Sequence, residues 1–182
     1  MNILTICGSL RANSYNASLA RTLSELAPDG MTIAEAGTIG SLPHYNADVQ
    51  IQGFPREAEA LGERIRGADG VIIVSPEYNF SIPGVLKNAI DWLSRLPDQP
   101  FKDKPVALQS ASTGMLGGAR AQYHLRQVLV FVEARVFNRP EVIVASAKDK
   151  FDETTGRLID PATRDLVAKQ LAAFKQFVGA TR

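Results

Sequence analysis

The sequence predicts a three-layer α/β sandwich, with one five-stranded parallel sheet of order 2-1-3-4-5 and helices on both faces. Three observations predict it. Short apolar runs recur at Ile3 to Cys7, Met31 to Ala36, Val71 to Val74, Val106 to Leu108 and Val142 to Val144, with amphipathic stretches between them. Val71-Ile72-Ile73-Val74 is continuously apolar instead of alternating, as suits a strand covered on both faces. Pro55, Pro83 and Pro161 open amphipathic segments that then run without an internal proline.

Each element follows from these signals. The strand at Ile3 to Cys7 leads to a helix expected over Ser14 to Ala27, and the strand at Met31 to Ala36 returns the chain to the sheet. Further helices are expected at Pro55 to Gly67, Pro83 to Arg95, Ala119 to Val132 and Pro161 to Val178. A proline at the first helical position lacks only an N–H that would be unpaired there, and its fixed φ suits the helix. In the last helix Val167, Leu171, Phe174 and Val178 recur at spacings of three and four, making one buried stripe. Thr38 to Gln52 and Lys148 to Asp160 read as surface loops longer than the usual connection. The helix from Pro83 carries two apolar stripes, Leu86-Ile90-Leu93 and Val85-Ala89-Trp92-Leu96. That is broader than burial against one sheet requires, so this helix is expected to meet a partner subunit.

The chain has 182 residues, 20 Lys or Arg against 19 Asp or Glu, a net charge of +1, and 45% hydrophobic residues. At about 100 to 200 residues per domain this is one domain spanning 1–182. Near-neutrality removes the broad basic footprint of a nucleic-acid binder, and no run of about 18 apolar residues exists to span a bilayer. Cys7 is the only cysteine and forms no internal disulfide, and neither a basic region nor a cleavage site marks the start, so a cytoplasmic location is expected. The sequon Asn79-Phe80-Ser81 is then coincidental. His44 and His124 with one cysteine make no recognisable zinc site. Ser110 to Gly114 lacks the first glycine of a nucleophile elbow, and Cys7-Gly8 replaces the acidic pair of a phosphorylated receiver domain. No side chain is therefore assigned as catalytic and none as a metal ligand.

In the expected topology the chain order reverses beside the first strand, so the loops after strands one and three flank a crevice for a ligand. The first, Gly8 to Asn16, combines Ser9, Arg11, Ser14 and Asn16 with no carboxylate, immediately before a helix, and suits an anion. A plain N-cap at Asn13 or Ser14 with a solvated Arg11 is the alternative, and it accounts for only part of the cluster. The second, Pro76 to Gly84, has two prolines, flat Tyr78 and Phe80, and polar Glu77 and Asn79, which together suit the edge of a planar heterocycle or a simple turn. The third, Ser110 to Gly118, has three glycines and small polar side chains, which permit close backbone approach or a flexible turn.

Taken together these residues resemble the NADPH-dependent FMN reductases, and within them the bacterial chromate and quinone reductases. The resemblance runs through Gly8-Ser9-Leu10-Arg11 with Ser14 and Asn16, then Pro76-Glu77-Tyr78-Asn79 into Pro83 to Trp92, and on to Gly117-Gly118-Ala119-Arg120. It implies a flavodoxin-like fold with FMN at the switch point. By position it implies that Ser9, Arg11, Ser14 and Asn16 hold the FMN phosphate, with Tyr15 also cofactor-binding, and that Pro76, Glu77, Tyr78 and Asn79 line the isoalloxazine. Ser112, Gly114 and Gly117 then approach its other side. The resemblance further implies that NADPH or NADH delivers a hydride to flavin N5 and departs before a quinone, chromate or another acceptor takes the electrons. Backbone N–H groups near Tyr78 and Asn79 are expected to stabilise negative charge on the reduced ring. It implies a homodimer or homotetramer, with Arg120, Tyr123 and Glu141 at a contact between dimers. A flavodoxin-like electron carrier or regulatory FMN module without NADPH turnover is the alternative, and the net charge of +1 argues against the acidic face such carriers present.

Overall fold

The computed structural model describes residues 1–181. Parallel strands β1 (Asn2–Cys7), β2 (Thr32–Glu35), β3 (Gly70–Val74) and β4 (Pro105–Ala111) run in the order β2-β1-β3-β4. The fifth position is filled by two pieces, β5 (Arg135–Val136) and β6 (Val142–Val144), both parallel to β4. β5 pairs with Pro105 and Val106, and β6 pairs with Gln109, Ser110 and Ala111. The order 2-1-3-4-5 is thus as expected, but the last strand is interrupted by the turn at Asn138 to Glu141.

Helices α1 (Tyr15–Thr22) and α6 (Pro161–Ala180) cover one face of the sheet, and α3 (Arg56–Gly67), α4 (Gly84–Leu93) and α5 (Ala119–Phe131) cover the other. The strands divide their side chains by the two-residue period. Val71 and Ile73 enter the core under α3, α4 and α5, while Ile72 and Val74 enter the core under α1 and α6, and all four are fully buried. The stripe Val167, Leu171, Phe174 and Val178 is buried as its spacing requires.

Several expectations need correction. The first helix ends at Thr22 and continues only as a single 3₁₀ turn, Leu23–Glu25. A sixth helix, α2 (Ala47–Gln52), lies inside the segment read as a loop, started by the Asn46 side chain, which accepts from Asp48 N at 2.9 Å. The segment 148–160 is pinned by a bridge between Phe151 and Leu158, both buried beneath it. Pro55 and Pro83 cap their helices from outside, whereas Pro161 sits at the first helical position.

The second stripe of α4 is covered mostly within its own chain, with Val85 left half-buried. Trp92 and Leu96 are buried within the chain: Leu96 packs on Gly62 of α3, and the segment around Pro43 and Tyr45 closes over Trp92. Among the described residues no helix is long and apolar enough to cross a membrane.

Asp160 caps α6. Its Oδ2 accepts from Thr163 Oγ1 at 2.5 Å and from Thr163 N at 2.8 Å, and these bonds hold its carboxyl below the usual aspartate range. A carboxyl whose folded value is depressed contributes stability that is present above its unfolded value and lost as pH falls through the folded one. Asp160→Ala is expected to cost about 1 kcal/mol at neutral pH. Urea denaturation curves of variant and parent should converge as the solution is acidified through that carboxyl's titration.

Candidate functional site

All parallel strands end on the same edge of the sheet, and the order reverses between β2-β1 and β3-β4, so the loops after β1, β3 and β4 gather at one crevice.

The first loop starts at Gly8, whose N–H donates to Val74 O at 2.8 Å. A Cβ there would lie 2.8 Å from Ser75 Oγ, so only glycine lets the ends of β1 and β3 approach this closely. Cys7 precedes it. Burial pushes the Cys7 thiol up, which leaves it neutral and a poor nucleophile at neutral pH. Ser9 Oγ accepts from Arg11 N at 3.3 Å, and Ser14 Oγ caps α1 by accepting from Ala17 N at 3.0 Å. Among the described residues the N–H groups of Tyr15 and Asn16 have no acceptor, and the Arg11 guanidinium has no hydrogen-bond or ion-pair partner. Asn16 differs from the other polar residues here. Its amide is buried and paired twice with Ala111, donating to the carbonyl at 2.8 Å and accepting from the N–H at 2.9 Å. The side chain therefore locks α1 to the end of β4, and only its backbone N–H faces the helix end.

Two cavities flank this loop. One of 310 Å³ lies between α1 and the turn 151–156, with Arg11, Tyr15 and Arg21 on one side and Asp152 and Glu153 on the other. The other, 240 Å³, lies between the first and second loops and is lined by Gly8, Leu10, Arg11, Tyr78 and the start of α4 at Pro83 to Val85. The mixed charges of the larger cavity suit a polar group. The smaller one has the apolar walls that a flat ring needs.

The second loop makes a tight turn in which Tyr78 and Ser81 exchange two backbone hydrogen bonds of 3.0 Å. Asn79 (φ 50) and Phe80 (φ 67) are both left-handed, a conformation that costs about 1–2 kcal/mol for a residue such as phenylalanine. Three attachments to α5 oppose that strain. Glu77 Oε2 accepts from Ala121 N at 3.0 Å, the Arg120 guanidinium stacks 3.9 Å from the centre of the Phe80 ring, and His124 Nδ1 lies 3.1 Å from Ser81 Oγ. The Tyr78 N–H is consumed by the turn, whereas Asn79 N–H has no acceptor among the described residues and is free to meet a ligand.

The third loop begins where Ser112 N donates to Val144 O at 3.0 Å, and Ser112 Oγ accepts from Gly114 N at 3.2 Å. It closes through Gly117 (φ +58), where a Cβ would fall 2.8 Å from Ala145 N. Met115 and Leu116 project from it into solvent. Taken together, the three loops offer unpaired N–H groups and an arginine beside an apolar slot, an arrangement that can hold a phosphate at one end and a planar ring at the other.

The sequence of residues 1–149 matches the NADPH-dependent FMN reductase family. The chain belongs to that family. It is 53% identical over 179 residues to the quinone reductase of Escherichia coli (strain K12), covering 98% of this chain and 95% of that one. It is 48% identical over 182 residues to an NAD(P)H-dependent FMN reductase of Pseudomonas aeruginosa, covering 100% and 97% of the two chains. In structure it resembles the flavoenzyme NAD(P)H:(acceptor) oxidoreductase of Paracoccus denitrificans, with a TM-score of 0.88 at 32% identity over 99% of this chain and 98% of that one. A flavodoxin mutant from Pseudomonas aeruginosa, at 16% identity and a TM-score of 0.59 over 96% and 99% of the chains, shares the fold alone. The enzyme is accordingly a flavodoxin-like oxidoreductase with FMN as cofactor and NAD(P)H as electron donor.

The structure thus places the three sequence-selected loops at one edge of the sheet, with Arg11, Tyr15 and Tyr78 lining the two cavities and Ser112, Gly114 and Gly117 lining neither. Sequence reasoning missed the contribution of α5, whose residues Arg120, Ala121, Gln122 and His124 reach back to the loops. No local signal carried it, because Glu77 and Ala121 are 44 positions apart. Of the residues expected between dimers, Arg120 is stacked on Phe80 and Glu141 pairs with Arg126 at 3.4 Å within the chain, whereas Tyr123 is exposed.

Proposed function

We propose that the enzyme passes electrons from NAD(P)H through bound FMN to quinones, and that the Gly8 to Asn16 loop holds the FMN phosphate. The observation that carries this reading is the Arg11 guanidinium, without a partner among the described residues, beside the two unpaired N–H groups of α1 and the apolar slot. Ser9 and Ser14 contribute hydroxyls, while the backbone N–H groups of Tyr15 and Asn16 contribute donors. Tyr78 and the Pro83 to Val85 segment wall the slot opposite Gly8, Leu10 and Arg11, the third loop with Ser112, Gly114 and Gly117 borders the ring beyond it, and Asn79 N–H supplies a fixed dipole where negative charge develops. Pro76 and Glu77 hold that loop in place. Bound FMN supplies the hydride chemistry, so no side-chain nucleophile or general base is required.

The exposed mouth bounded by Tyr78, Phe80, Met115 and Leu116 also suits small oxidants such as chromate, whose reduction would not by itself identify the physiological acceptor. The same exposed apolar rim, with Tyr123, supports a homodimer or homotetramer that covers the mouth. Only monomer in sedimentation at micromolar concentration would overturn that assembly. A cytoplasmic location accords with the single, half-buried thiol.

The deciding experiment is anaerobic. Protein loaded with FMN is mixed with NADPH, and the visible flavin absorbance is followed with no acceptor present. Rapid bleaching, reversed on adding a quinone, is the expected result. Bound FMN that keeps its colour with NADPH would favour an electron carrier instead.

A further inference from the structure

The third loop is held by side chains that lie outside it. Ser110, next to last in β4, is fully buried, and its Oγ donates to Gly117 O at 2.7 Å. The same oxygen accepts from Gln122 Nε2 at 2.8 Å, and Gln122 Nε2 also donates to Val142 O at 2.8 Å. Gln122 is 3% exposed and stands in the first turn of α5. One amide therefore joins the helix, the end of β4, strand β6 and the close of the loop, and each bond in the chain polarises the next.

The turn at its end has little freedom. Gly117 and Gly118 both have positive φ, and a Cβ on Gly118 would fall 2.7 Å from Ser110 Cβ. The loop's other end is tied to β6 by the Ser112 N to Val144 O bond, so Gln122 and Ser110 fix the remaining end. In the second loop Glu77 Oε2 accepts from Ala121 N, the neighbour of Gln122. Adjacent residues of α5 thus anchor the second and the third loop. Gln122 Oε1 is buried with no partner among the described residues, a cost offset by the two bonds that Nε2 makes to Ser110 Oγ and Val142 O.

We infer that Gln122 is a positioning residue for the flavin: acting through Ser110, it fixes Gly117 and, with the Glu77 bond to Ala121, sets the separation of the second and third loops. This rests on the reading that those loops flank FMN, and the test separates the two. Titration of the unaltered protein with FMN comes first, and failure to bind would refute that reading and this inference together. Gln122→Met, which keeps length and loses the donors, and Ser110→Ala, which removes the relay oxygen, are then compared singly and together. Each is expected to raise the FMN Kd about three- to tenfold, a modest bond loss on the affinity scale. Each should also alter the visible circular dichroism of the bound flavin.

The double variant should be no worse than either single one, because both cut the same chain. Wild-type Kd and flavin dichroism with only a lowered Tm, or effects that multiply in the double variant, would overturn the inference. Should Gln122→Met not fold, Ser110→Ala alone decides by the same two readouts.

Discussion

Arg11→Ala is expected to weaken FMN binding about ten- to a hundredfold while leaving the Tm of the apoprotein unchanged. The second half follows from the geometry, since the guanidinium is exposed and makes no bond to another described residue. The first half is a comparison of magnitudes. Charge-assisted hydrogen bonds to a phosphate contribute roughly 1.5 to 3 kcal/mol, whereas the end of one helix contributes about 0.3 to 1 kcal/mol, so the α1 amides cannot replace the arginine. At 1.4 kcal/mol per tenfold, the loss spans that range. Arg11→Lys should fall between, because an ammonium keeps the charge but not the planar fork. Fluorescence titration of FMN into apoprotein reads all three, and equal affinities would remove Arg11 from the phosphate site. Added salt should narrow the gap between parent and alanine variant, since an exposed charge is screened.

How far the site could be read beforehand depends on range along the chain. Period and punctuation are local, so the apolar run at Val71 to Val74, the prolines at 55, 83 and 161, and hence the order of the sheet were legible. Strand order in turn places the three loops at one edge, so the polar cluster at Ser9, Arg11 and Ser14 stands out in the sequence as a candidate anion site. Two-residue β5 and six-residue α2 are too short to show a period and went unseen. The destinations of side chains were also hidden. Asn16 looks like one more polar residue of an anion loop, yet its amide is taken by Ala111, 95 positions away. Nothing in a local window distinguishes an amide that will meet a ligand from one that will meet a strand end.

Trp92 shows the same limit on the apolar side, and it carries the largest stability effect expected here. On a helical wheel it widens the apolar face of α4 beyond what one sheet can cover, which suggests a partner subunit. Instead the chain covers it with its own segment. Trp92 Nε1 donates to Pro43 O at 2.8 Å, Tyr45 stands edge-on at 5.0 Å between ring centres, and Asn88 clasps the same segment through Tyr45 N at 2.7 Å and Pro43 O at 2.9 Å. Trp92→Ala is expected to cost about 3–5 kcal/mol, as large-to-small changes at fully buried aromatics do. Trp92→Phe should cost less. It keeps most of the buried ring area, and Pro43 O retains its bond from Asn88, so no acceptor is orphaned. Urea unfolding monitored by far-ultraviolet dichroism measures both. Sedimentation velocity of Trp92→Phe then separates the two accounts of the residue: buried within its own chain, the substitution lowers unfolding stability and leaves the mass of the native particle unchanged, whereas a subunit contact would show as a lighter particle at the same concentration.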